Sequence, residues 1–208
     1  MRLGAPPAMI AAMPVRFPDR LRLPLDFDAA RLAADLAAVE AAGWTEHFVK
    51  QNYDGDWSVI ALRAPRGETH PVRMIYSDPG CTDFVDTPAL NAAPHLRAAL
   101  AAFACPLLSV RLMRLAPGSL IKEHRDHDLA FEEGKVRVHV PVVTNADVEF
   151  RLNGERCLMP AGSSWYLRLS DPHSVANRGM SDRVHLVIDA AVNAWLIDLF
   201  EGASRAAA

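Results

Sequence analysis

The C-terminal half of the chain carries His124-Arg125-Asp126, then His173, then Arg183. Side chains two positions apart on an extended strand end project from the same face, so His124 and Asp126 can reach one ion together. Two imidazoles and one carboxylate form the facial set that holds Fe(II) and leaves positions open for a co-substrate and O₂. A 2-oxoglutarate chelating that iron has a second carboxylate that needs a fixed cation, and a guanidinium binds carboxylates through two parallel hydrogen bonds. These residue types predict an oxygenase with His124, Asp126 and His173 as metal ligands and Arg183 as the partner of 2-oxoglutarate. His127 and Asp128 follow directly, but a register with His127 as ligand leaves no carboxylate two residues on.

A histidine and an aspartate two apart are a weak motif alone, so the elements that would position them carry the weight. From Leu107 to Val192 the chain is a series of short β-like runs. Turn residues separate them at Pro117-Gly118, Asn145-Ala146-Asp147, Asn153-Gly154, Pro160-Ala161-Gly162 and Asp171-Pro172. Such spacing predicts a sandwich or barrel, best a jelly roll. The stretch between Asp126 and His173 has room for about three strands, which would return the chain beside its starting point. In Lys135–Pro141, Val136, Val138 and Val140 alternate with Arg137 and His139. Arg183–Ile188 repeats the pattern, with Val184, Leu186 and Ile188 opposite Arg183 and His185. The polar faces could meet solvent or the barrel interior, and a cavity that binds a dianion needs cations on its walls.

Upstream, a helix is expected near 29–42, with Asp26 and Asp28 as N-cap candidates, Leu32, Leu36 and Val39 as its apolar stripe, and Gly43 at its end. Trp57–Arg63 and Val72–Ser77 read as strands. Residues 88–104 read as helix interrupted at Pro94, and Ala194–Phe200 as a final helix. Residues 1–20 are expected to be irregular. Residues 21–208 are expected to form a single domain, with an N-terminal α/β part over 21–104, a jelly-roll core over 105–192 and a C-terminal helix over 193–202.

With 208 residues, 50% of them hydrophobic and 23% charged, the chain has the composition of one soluble domain with a sizeable core. The net charge of -3 and the scattered basic residues give no phosphate-binding stripe, so nucleic acid is not an expected partner. No apolar run approaches the length that spans a bilayer. Pro6, Pro7 and Pro14 interrupt the N-terminal apolar residues, so a cytoplasmic location is expected. Cys81, Cys105 and Cys157, odd in number and widely spaced, read as reduced thiols.

Leu115–Asp126, the strand Val136–Val140, and His173 through Arg183–Asp189 together resemble the aspartyl/asparaginyl β-hydroxylase family. The resemblance covers roughly residues 107–192 and, more loosely, Trp44 to Trp57. It implies a double-stranded β-helix with a cupin-like jelly-roll core and flanking helices. The implied activity is Fe(II)- and 2-oxoglutarate-dependent hydroxylation with O₂, releasing succinate. The family includes bacterial hydroxylases of free proline, and its animal members have glycine where this chain has Asp126, so the match is closer to the small-molecule branch. It also implies that Arg137 and His139 contact the co-substrate. Met113 stands where a co-substrate-binding serine is expected.

The expected substrate is a small molecule or short peptide, amino-acid-like or a peptidyl Asp/Asn. Arg63, Arg73, Arg111 and Arg168 are candidates for its carboxylate, and Tyr53, Trp57, Trp165 and Tyr166 for pocket walls. Two rivals share the scaffold: a non-catalytic cupin-like sensor, and a metal enzyme that makes no use of 2-oxoglutarate, in which Arg183 has no such role. The sequence leaves the oligomeric state open.

Overall fold

Alternation of side chains along successive strands builds two antiparallel sheets, seen in a computed structural model that describes residues 17–78 and 80–207. The chain runs β1 (Arg20–Asp26), α1 (Ala29–Val39), β2 (Thr45–Glu46), β3 (Tyr53–Asp54), β4 (Trp57–Pro65), α2 (Pro71–Ile75), β5 (Phe84–Asp86), α3 (Pro88–Asn91) and α4 (Pro94–Ala101). It continues β6 (Leu107–Leu115), β7 (Leu120–His124), β8 (Lys135–Val143), β9 (Val148–Leu152), β10 (Glu155–Cys157), β11 (Ser163–Leu167), β12 (His173–Asn177), β13 (Arg183–Ala191) and α5 (Ala194–Ala207). The larger sheet has the order β1-β11-β8-β13-β6-β4-β2, with β5 on β4. The smaller has β10-β9-β12-β7-β3. This is a jelly-roll core with flanking helices, the architecture the sequence predicts.

The larger sheet is covered on both faces, and its two faces differ in chemistry. Val136, Val138, Val140, Val184, Leu186 and Ile188 pack with Leu32, Leu36, Leu96 and Phe200 of the helices in one apolar cluster. The alternate positions of β8 and β13 bury Arg137, His139, Arg183, His185 and Asp189 on the other face. Beside them, Met113, Leu115 and Val187 meet Ile121, Phe150 and Val175 of the smaller sheet. A strand buried on both faces ordinarily reads as continuous hydrophobic sequence. Buried charges are costly unless they are paired or meet a ligand. The inner face of the larger sheet therefore reads as a binding surface.

Local chemistry explains most boundaries. Asp28 caps α1, its Oδ1 accepting from the N–H groups of Ala30 and Arg31 at 3.0 and 3.2 Å, whereas Asp26 pairs with Arg22. Asn153 and Gly154, at φ 52° and 79°, form the tight turn between β9 and β10. Gly162 is required where β1 leaves β11, because a Cβ there would lie 2.2 Å from the Phe27 carbonyl oxygen. The helical stretch after Thr87 breaks ahead of Pro94, as expected from the residue type.

Three expectations are corrected. Val72–Ser77 is not a strand, since Pro71 starts the short helix α2 at its first turn. The Glu68 carboxylate accepts the N–H groups of Thr69 and His70 just ahead of it. The stretch between Asp126 and His173 holds four strands, β8 to β11, rather than about three. Residues 21–26, given no structure from sequence, belong to β1, which pairs with β11 and closes one edge of the larger sheet. Residues 1–16 of the segment expected to be irregular lie outside the described residues. The final helix extends past Phe200 to Ala207. Among the described residues no helix is long and apolar enough to cross a membrane. Cys81, Cys105 and Cys157 are free thiols.

Candidate metal centre

Strands β7 and β12 pair antiparallel with His124 opposite His173, which brings their rings to 4.3 Å between centroids. Asp126 lies just past the end of β7, held by its N–H donating to the Leu169 carbonyl at 2.8 Å. Each of the three residues offers one ligand atom, and these atoms all lie within 4.8 Å of one another. His124 Nδ1 lies 2.8 Å from the Lys122 carbonyl and His173 Nδ1 lies 3.0 Å from that of Asp171. A carbonyl accepts only, so both rings carry their proton on Nδ1 and present the Nε2 lone pair, the arrangement that orients metal-ligating histidines. Burial pushes the His173 pKa down to about 4, which keeps it in the neutral, ligating form. The donor set fits a divalent metal of the Fe(II) type.

A buried ion network stands behind the carboxylate ligand. Arg137 Nη1 donates to Asp126 Oδ2 at 2.5 Å, while Arg137 Nε and Nη2 donate to Asp189 Oδ1 and Oδ2 at 2.6 and 2.9 Å. Register sets this pair, because Asp189 of β13 lies directly opposite Arg137 of β8. Asp189 also accepts from Arg111 Nη2 at 2.5 Å and from the Ser77 hydroxyl at 2.7 Å. Burial alone would raise the Asp189 pKa, but Arg137 and Arg111 overcome it and hold the carboxyl well below the usual range. Arg137, expected to contact the co-substrate, thus reaches the cavity wall with three of its donors already placed on Asp126 and Asp189.

Arg183 is different. It is 2% exposed, no carboxylate lies among its partners, and its Nε is buried with no acceptor among the described residues. Its Nη2 lies 2.8 Å from His185 Nδ1, and its guanidinium carbon lies 5.9 Å from the Phe150 ring centre. Burial pushes its pKa down to about 9. His139 Nδ1 lies 3.3 Å from the same His185 nitrogen, and His139 Nε2 is buried without a partner among the described residues. Burial first, then Arg183 and Arg137, keep His139 neutral. A buried cation with an N–H left without an acceptor among the described residues is what an incoming carboxylate would satisfy.

One cavity of about 330 Å³ is lined by His124, Asp126, His173, Arg137, His139 and Arg183, so the structure brings all six predicted residues together. Of the four arginines considered for the substrate, Arg111 alone lines it. Arg63 pairs with Asp86, Arg73 with Glu68 and Arg168 with Glu132. Trp57 and Met113 are on its wall, while Tyr53, Trp165 and Tyr166 are not; Tyr166 packs in the helix-covered core. His127 and Asp128 also line the cavity but stand outside the ligand cluster. Asp189, His185 and His47 were given no role from sequence, although His185 was placed on the polar face of its strand. The first two continue the inward alternation of β13 from Arg183, which was the available signal. His47 lies in an irregular stretch that offers none.

A double-stranded β-helix with two histidines and one carboxylate clustered at its open cavity defines the class: a jelly-roll protein with a candidate metal site. The chain belongs to the aspartyl/asparaginyl β-hydroxylase family, whose model matches residues 27–192. It is 27% identical over 172 residues to an L-proline cis-4-hydroxylase from Rhizobium meliloti (strain 1021), covering 81% of this chain and 59% of that protein. The chain thus spans under two thirds of that relative's length. Among solved structures, an oxidoreductase of the 2OG-Fe(II) oxygenase family from Burkholderia pseudomallei superposes with a TM-score of 0.51 at 15% identity, over 85% of this chain and 88% of that one. A Pseudomonas putida prolyl-4-hydroxylase gives 0.49 at 14% identity, over 84% and 93%.

Proposed function

We propose that the protein is an Fe(II)- and 2-oxoglutarate-dependent hydroxylase of a free amino acid or small amino-acid-like molecule. The observation that carries this reading is the coincidence, in one cavity, of the clustered ligand set and a buried arginine with no acidic partner. In the reading, His124, Asp126 and His173 hold the metal, and Arg183 with His139 binds the far carboxylate of 2-oxoglutarate. Arg137, anchored on Asp189, fixes the orientation of Asp126. Bound Fe(II) with 2-oxoglutarate and O₂ supplies hydroxylation of an unactivated C–H, coupled to release of succinate and CO₂. The protein supplies position, fixed charge and apolar walls from Trp57, Met113 and Phe150. A cavity of about 330 Å³ suits a small substrate beside the co-substrate, and the family's proline-hydroxylating relative supports the same choice.

Anaerobic addition of Fe(II) and 2-oxoglutarate is expected to give the weak visible band of the metal–co-substrate complex. Admission of air with a panel of free amino acids, starting with L-proline, is expected to give succinate. His173→Ala should abolish both. Retention of the band and of full turnover in that variant would remove His173 from the metal, and a wild-type protein releasing no succinate with any amino acid or short peptide would overturn the reading in favour of a binding protein.

A further inference from the structure

His47 is held with unusual definition for a residue in an irregular stretch. Its backbone N–H donates to the Trp57 carbonyl at 2.9 Å, and its ring lies on the Trp57 indole at 3.5 Å between centroids and 6° between planes. Phe48 stacks on it at 4.8 Å and 17°, and Tyr53 meets it edge-on at 6.4 Å. Nδ1 accepts the Val49 N–H at 3.3 Å, which places the ring proton on Nε2. The ring lies on the wall of the same cavity as the metal-ligand set and Arg111, and Nε2 has no hydrogen-bond partner among the described residues. Burial, then Arg111, push its pKa down to about 3, with Arg137 acting in the same direction and Asp126 against it. The ring is therefore a neutral donor of fixed tautomer that shares its cavity with Arg111. An N–H so placed is best satisfied by an anionic oxygen.

Building on the hydroxylase reading above, we propose that His47 is a specificity-determining residue whose Nε2–H donates to a carboxylate oxygen of the prime substrate, so that the enzyme selects amino acids over their uncharged amides. The aromatic stack fixes the ring, so the donor is pre-oriented before the substrate arrives.

The test uses the full chain loaded with Zn(II), which is redox-inert, and 2-oxoglutarate. Calorimetry then measures binding of the amino acid that gives most succinate in the panel, and of its primary amide. His47→Phe keeps the stack and removes the donor; His47→Gln restores an N–H near the Nε2 position. His47→Phe is expected to weaken binding of the acid about tenfold or more, the scale of one hydrogen bond to a charged group, and to leave the amide within threefold. His47→Gln should recover most of the loss. Equal weakening of acid and amide, or none, overturns the proposal. Should both variants fail to fold, the wild-type imidazole resonances decide: the Nε2–H proton of His47 should move downfield when the acid is added and stay put with the amide, and an unmoved proton overturns the assignment. A wild-type protein that releases succinate with short peptides alone sinks the proposal and leaves the oxygenase reading standing. A wild-type protein that neither releases succinate nor binds any of these compounds sinks both.

Discussion

At the residue scale, Arg183 and Arg137 show how similar side chains on one sheet face are given different work by their partners. Arg137 is neutralised by Asp126 and Asp189, whereas Arg183 meets no carboxylate among the described residues and keeps a buried N–H without an acceptor among them. A buried unpaired charge destabilises the protein that contains it, and residues retained at such cost are commonly functional. Arg183→Met is accordingly expected to leave the thermal midpoint of the ligand-free protein unchanged or higher. The same variant should lose the midpoint rise that 2-oxoglutarate gives the metal-loaded wild type. Arg183→Ala is expected to raise the KM for 2-oxoglutarate about ten- to a hundredfold, the equivalent of about 1.5–3 kcal/mol for a charge-assisted pair. An unchanged KM would take Arg183 out of the co-substrate site.

At the scale of elements, the register between β8 and β13 sets Arg137 opposite Asp189 and thereby fixes the guanidinium against Asp126. Asp189→Asn would leave Arg111 and Arg137 buried with too little negative charge. The expected cost is about 3–5 kcal/mol in urea unfolding at neutral pH. The carboxyl's pKa is depressed in the fold, so its contribution is whole above the ordinary carboxylate value of about 4 and fades as pH falls below it. The gap between wild type and variant should therefore narrow below pH 4, and a gap of under 1 kcal/mol at neutral pH would show the network to be dispensable. Alternation with period two set the polar residues of both strands on one face, and the need of a bound dianion for cations, not the alternation, turned that face inward. Val136–Val140 and Val184–Ile188 made Arg137, His139 and Arg183 visible in the same pass. Val72–Ser77 misled because its apolar spacing suits a strand, and the helix there depends on Pro71 and the Glu68 carboxylate instead. β1 escaped because Arg20–Asp26 becomes a strand only by pairing with β11, a partner far along the chain. His47 escaped for a similar reason, since the Trp57 stack and the cavity that define it are tertiary.

Across the whole molecule, the larger sheet separates an apolar face under the helices from an inner face where His139 and His185 are both buried beside Arg183. Burial first, and Arg183 next, hold both imidazoles neutral, with pKa values well below the ordinary 6.5. The unfolded chain has no such constraint, and its histidines take up protons as pH falls through about 6.5. Below that point the unfolded state binds more protons than the native one, so stability must fall as pH falls. The loss reaches up to about 1.4 kcal/mol per pH unit for each buried histidine. Carboxylate pairs such as Arg137–Asp189 weaken only below about pH 4, so the interval from pH 7.5 to 5 isolates the imidazoles. Urea unfolding of the metal-free protein is expected to give a stability that is level down to about pH 6.5. By pH 5 it should have dropped by about 2 kcal/mol for each histidine kept neutral in the fold. His185→Gln, which cannot protonate, should flatten the curve by one histidine's share. A profile level from pH 7.5 to 5 would mean that His139 and His185 gain protons in the folded protein, and the inner face would then be far more open to water than its burial indicates.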